Sequence, residues 1–240
     1  MNSGRPPGWD DPTLMAPPEP FGYKTAWFAI RSEDRGAVAK ALELQAAQEV
    51  NWQYGVHRAY EYNEYLIFVA PPVNGWVLAM GTPVLFEIDD YATERITKLS
   101  RQFGEAQSFG NVRTSNCYSW ALARDGVLVR HFYDADGNHR ETGEYTEEEK
   151  TLGAKFSDSS SGEAMEPGYW ERIDIVGVEE LTVLQIAGLW SVNPMKLGEM
   201  GLEAAYGLLG RPSGSYKPKP EPIRPRKTGV LRRLFGRWQT

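Results

Sequence analysis

Apolar residues fall in short runs whose period changes along the chain. Residues 24–30, dense in aromatic and aliphatic side chains, predict a strand, and Ser32-Glu33-Asp34 after it reads as a helix cap with an acidic first turn. A helix is therefore expected over residues 34–44, its modest stripe Val38, Ala41 and Leu42 lying on a sheet. Strands are expected at 56–62, 65–70 and 76–80, with Pro71-Pro72-Val73-Asn74-Gly75 turning between the last two. The run Leu66-Ile67-Phe68-Val69 is apolar without alternation, the mark of a strand covered on both faces.

From Thr82 the same succession is expected again: a strand at 84–88, then a helix opened by Asp89 or Asp90. Its apolar positions Ile96, Leu99 and Phe103 precede Gly104. Strands follow at 106–112, 118–123 and 127–133, the last two joined through Asp125-Gly126, a pair that tolerates the positive φ of a tight hairpin. Residues 22–81 and 82–135 thus read as two similar β-α-β-β-β units. A helical part is expected over 145–210. It starts with the capping box Thr146-Glu147-Glu148-Glu149 and, after a polar loop at 157–168, continues in a helix at 179–190 that is apolar nearly all round. A last helix, begun by Asn193-Pro194, carries the stripe Leu197, Met200, Ala204 and Leu208. The fold class expected is α+β, with a mixed or antiparallel sheet and C-terminal helices, in a domain spanning residues 21–210. Residues 1–20, rich in Gly and Pro, are expected to be disordered.

Charge divides the chain. From Arg211 to Thr240 nine Lys or Arg stand against the single acid Glu221, a net of +8, which leaves −14 on residues 1–210 out of a total of −6. Residues 212–225 read as a Pro-jointed linker, and 229–238 as a basic amphipathic helix with Leu234, Phe235 and Trp238 on one face and Arg232, Arg233 and Arg237 on the other. Such a tail is expected to fold onto the chain's own acidic body or stay disordered, and next to that to meet an anionic membrane or another protein, and no nucleic-acid recognition fold accompanies it. The N-terminus lacks a basic start followed by an apolar run, and the longest apolar stretch is far below the roughly 20 residues that span a bilayer. A cytoplasmic protein is expected.

Catalytic chemistry is not legible. Cys117 is alone, which excludes an internal disulfide or a thiolate-rich zinc site. His57, His131 and His139 have no HExxH and no nucleophile in a strained turn beside them, and phosphate-binding glycine motifs are missing. Asp134-Ala135-Asp136-Gly137-Asn138 offers oxygens at alternate positions, but Gly stands fourth where a calcium loop needs it sixth, so a hairpin turn is expected there. No catalytic residue, cofactor or metal is expected. Of the eight tryptophans, Trp9 and Trp170 lie in polar, irregular surroundings and are the interface candidates, together with the acids Glu61, Glu64, Glu87, Asp89 and Asp90.

Three segments carry a resemblance: Phe68-Val69-Ala70-Pro71-Pro72-Val73-Asn74-Gly75-Trp76, Phe103-Gly104-Glu105-Ala106-Gln107-Ser108-Phe109-Gly110, and Leu189-Trp190-Ser191-Val192-Asn193-Pro194. Through them the chain resembles uncharacterised bacterial proteins, some of which look like the immunity partners of polymorphic or type VI secreted toxins. The resemblance covers residues 22–210 and implies a binding protein that inactivates a basic toxin by occluding it. An acidic surface would speed that association. Behind this reading stand a membrane-associated adaptor working through the basic tail, and an enzyme of unrecognised type.

Overall fold

The computed structural model describes residues 6–213 apart from 86, 136 and 154. Its centre is a nine-stranded antiparallel sheet, so the two halves of the chain share one continuous sheet. In chain order the elements are β1 (Thr25–Arg31), α1 (Arg35–Ala41), β2 (Leu44–Asn51), α2 (Trp52–Ala59), β3 (Ile67–Val69), β4 (Trp76–Gly81), α3 (Thr82–Leu85) and α4 (Asp90–Phe103). There follow β5 (Glu105–Val112), β6 (Cys117–Arg124), β7 (Val127–Ala135), β8 (Asn138–Thr142), α5 (Glu147–Leu152), β9 (Lys155–Phe156), β10 (Ile175–Val176), α6 (Glu180–Trp190) and β11 (Tyr206–Pro212). The strand order is β2-β11-β3-β4-β1-β5-β6-β7-β8, and β9 and β10 make a separate parallel pair. The fold is α+β, as the residue pattern implies.

Both faces of the sheet are covered, which explains why its central strands do not alternate. In β1, Trp27 and Ala29 enter one core and Ala26, Phe28 and Ile30 the other. Likewise Phe68, Leu78 and Met80 face one side, while Ile67, Val69, Val77 and Ala79 face the opposite one. The first core is closed by Trp52, Val56 and Ala59 of α2 and by Val183, Leu184, Ile186 and Ala187 of α6. The second is closed by Val38 and Ala39 of α1 and by Ala92, Ile96 and Leu99 of α4.

Local signals end the elements where residue chemistry requires. Asp34 caps α1 by accepting from the amides of Gly36 and Ala37, Asp89 caps α4 through Tyr91, and Gly104 closes α4 at φ 81°. The β6–β7 hairpin turns on Asp125 and Gly126, at φ 48° and 81°, and the β3–β4 hairpin on Asn74 and Gly75, at φ 50° and 86°.

Several expected elements differ. Residues 56–62, expected as a strand, lie partly in α2, where the Asn51 side chain accepts from Tyr54 N and Trp52, Val56 and Ala59 share a buried face. Residues 84–88 form no strand: Pro83 sits inside the short helix α3, and Glu87 N turns back to Val84 O. The expected helix α1 stops before Glu43, at φ 56°, and Leu44 opens edge strand β2. After Asn193-Pro194 only a 3-10 turn (Pro194–Glu199) forms, and Leu208 belongs to β11, slotted between β2 and β3. Gly207 permits this, since a Cβ there would stand 2.3 Å from the Phe68 ring. Residues 6–20, expected to be disordered, pack against the body: Asn51 N donates to Pro12 O, Asn51 Nδ2 to Asp11 O and the Tyr206 hydroxyl to Thr13 O, while Ala16 is buried.

Candidate functional site: an acidic cover layer and its trench

After β8 the chain crosses the β6–β8 half of one sheet face as an irregular cover. α5 anchors its start through the expected capping box, Thr146 Oγ1 accepting from Glu149 N and Glu149 Oε2 from Thr146 N. Phe156 plugs the layer onto the sheet, edge-on to Trp120 at 5.0 Å and to Phe132 at 5.7 Å. Tyr169 is buried and its hydroxyl accepts from Asp158 N.

The outer surface of this cover is strongly negative. Residues 141–180 hold twelve Asp or Glu against three Lys or Arg, which places −9 of the −14 in forty residues, and of those acids only Glu149 is buried. Several are matched, as Glu163 and Asp174 are by Arg172, but Glu166, Glu171 and Glu179 are exposed and without a cationic partner among the described residues. Apolar side chains stand among them: Met165, Trp170, Ile173 and Leu181 are all more than half exposed.

Beside the cover runs a trench of three linked hollows. The first, about 330 Å³, is lined by Tyr118, Asp134, Ser157, Ser159, Val178 and Trp170. Tyr118 also lines the second, about 530 Å³, with Tyr23, Lys24, Arg113, Glu179 and Glu180. Tyr23 and Leu181 continue into the third, about 820 Å³, which follows α6 past Leu184, Gly188 and Leu189 to Met195 and Met200. Burial, with Glu180 and Glu179 alongside, raises the Tyr118 phenol above its ordinary value, so it remains a neutral donor. Helix α6 is thus not apolar-buried all round: Leu181 and Leu189 face this trench and are about half exposed.

The sequence-derived candidates are not brought together. Trp170, 61% exposed, is in the cover, edge-on to Tyr169. Trp9 is instead half-buried, stacked on His57 at 4.5 Å, and serves to hold the N-terminal segment on α2. Glu61 pairs with Arg58, Glu64 with Arg58 and Arg211, and Glu87 with Arg95, so these carboxylates are largely neutralised in place. Asp89 is occupied as the α4 cap, and the exposed Asp90 meets Arg140 at 2.6 Å. The tail residues Arg232, Arg233, Leu234, Phe235, Arg237 and Trp238 lie outside the described residues. Residue patterns do not group Tyr118 of β6, Asp134 of β7, and Glu179 and Leu181 at the start of α6, because nothing local marks residues of three different elements as neighbours.

Among the described residues the histidines make salt links and packing contacts. His139 lies between Glu141 Oε1 at 3.4 Å and Asp158 Oδ1 at 3.9 Å, and the bond to Glu141 raises its pKa against the effect of burial. His131 is buried under α4, where desolvation lowers its pKa to about 4. The Asp134–Asn138 run is the β7–β8 hairpin, with Gly137 at φ 76°. No helix among the described residues is long and apolar enough to cross a membrane. No family model, curated protein or solved structure matches this chain.

Proposed function

We propose that this chain is a non-catalytic binding protein of the toxin-immunity type, which neutralises a basic bacterial toxin by covering it with the layer over β6–β8. The observation that supports this reading is the concentration of −9 within residues 141–180, on a surface where Trp170, Met165, Ile173 and Leu181 stand exposed among unmatched carboxylates. Such a surface attracts a cationic partner from a distance and then supplies aromatic and aliphatic area for the close contact. Occlusion asks for no catalytic group of the covering protein.

The test is co-expression with the product of an adjacent toxin gene. Restored growth and a complex that survives purification are expected, with association slowing as salt is raised. Unrelieved toxicity with no complex, or turnover of a small molecule by the purified chain that one side-chain replacement abolishes, would overturn the reading.

A further inference from the structure

We infer that the hollow between Tyr118 and Trp170 is an arginine-anchor pocket, with the Asp134 carboxylate as its counter-charge. Asp134 is only 6% exposed, at the end of β7 where strand pairing sets it beside Tyr118 and His139. Among the described residues its oxygens accept from Ser159 alone, Oδ1 from the hydroxyl at 2.5 Å and Oδ2 from the amide at 3.4 Å. No Lys or Arg among the described residues forms an ion pair with it. His139, its cross-strand neighbour, makes its salt links to Glu141 and Asp158, with Asp134 a lesser influence on its charge.

A buried carboxylate with lone pairs to spare and no paired Lys or Arg is costly unless something supplies the charge. Here the carboxylate lines a hollow of about 330 Å³ whose other linings include a phenol ring and an indole, with Asn116 and the two serines adding polar groups. Those are the complements of a guanidinium, which is planar, weakly hydrated, stacks on aromatic faces and pairs with a carboxylate through two parallel bonds. A lysine ammonium is compact and strongly hydrated and makes less use of flat walls. The trench leading away past Tyr23 and Leu181 gives the backbone carrying that arginine a place to lie.

The inference rests on the proposed function only for the chain that supplies the arginine. The experiment is a titration of the full chain with acetyl-Gly-Arg-Gly-amide, read by tryptophan fluorescence and by the indole NMR signal of Trp170, beside the same peptide carrying lysine or citrulline. Citrulline keeps the shape and removes the charge. Saturable binding of the arginine peptide is expected, about tenfold or more tighter than the citrulline one. Asp134→Asn is expected to abolish that preference, and Trp170→Ala to weaken binding severalfold. Equal binding of arginine and citrulline peptides, an unchanged preference in Asp134→Asn, or unchanged affinity in Trp170→Ala would overturn it. If Asp134→Asn fails to fold, the citrulline control and Trp170→Ala decide alone, since Trp170 is exposed and dispensable to the core. Repeating the titration with Arg224, Arg226, Arg232, Arg233 and Arg237 changed to Gln separates the sources: tighter peptide binding identifies the chain's own tail as the occupant, unchanged binding a partner. Because no toxin is present, failure here leaves the occlusion reading to be judged by the co-expression result.

Discussion

Arg130 Nε lies 2.9 Å from Glu149 Oε1, and neither side chain has any solvent exposure. The carboxylate also accepts from Trp120 Nε1 at 2.7 Å and from Thr146 N at 2.8 Å, while Arg130 lies over the Tyr145 ring and donates to Glu141. One ion pair therefore ties strand β7, strand β6 and the cap of α5 together beneath the acidic cover. Removing either partner leaves a buried charge uncompensated, so Glu149→Ala or Arg130→Met should cost about 3–5 kcal/mol in urea unfolding. Replacing both, as Arg130→Met with Glu149→Leu, should recover much of that loss. Two single variants with stability unchanged would mean that the pair does not hold the cover.

Stability should fall on mild acidification. His131, held neutral by burial to a pKa of about 4, resists a proton that the unfolded chain takes up near pH 6.5. Between those values the unfolded state binds more protons, so the stability that the neutral form contributes, at most about 3 kcal/mol, is present above pH 6.5 and drains away toward pH 4. His139 acts oppositely. Its raised pKa contributes stability that is complete below the unfolded value and lost as pH rises through the folded one. Denaturant midpoints from pH 7 to 4.5 should therefore decline, less steeply in His131→Gln and more steeply in His139→Asn.

Phe68 packs where two glycines let it. A Cβ on Gly55 would stand 2.2 Å from its ring and one on Gly207 2.3 Å, on α2 and β11 respectively. Gly55→Ala is expected to cost about 1–3 kcal/mol by overpacking. Combining it with Phe68→Leu should cost less than the sum of the two, which a double-mutant cycle would reveal.

The N-terminal segment should loosen without the body unfolding. Trp9→Ala removes the ring stacked on His57, and aromatic stacking of this kind is worth about 0.5–1.5 kcal/mol beyond burial. Faster amide exchange at Asn51, whose N–H is held by Pro12 O, is expected with little change in the global unfolding midpoint.

The cover should tolerate changes that binding does not. Glu166→Lys, Glu171→Lys and Trp170→Ala alter exposed groups, and each should move stability by no more than about 0.5 kcal/mol. Capture of the toxin should slow for the two reversals and its release should quicken for Trp170→Ala, both measurable by surface-binding kinetics.

Features set by neighbours three or four positions apart were legible in the residues. The cap at Asp89, the capping box at Thr146 and Glu149, and the turns at Asn74-Gly75 and Asp125-Gly126 all form as expected, because each needs only its own segment, whereas the cap of α1 falls on Asp34, which the pattern placed in an acidic first turn. The unalternating run around Phe68 likewise announced a strand covered on both faces, and the count of charges an acidic body. What tertiary structure alone decided is which segments meet. β11, short and rich in Gly, becomes a strand only because β2 and β3, more than 130 residues earlier, leave a slot whose backbone groups need partners. The trench is of the same kind: Tyr23, Tyr118, Asp134, Trp170 and Leu181 become neighbours through strand pairing and the path of the cover, and hydrophobic periodicity carries no record of that proximity.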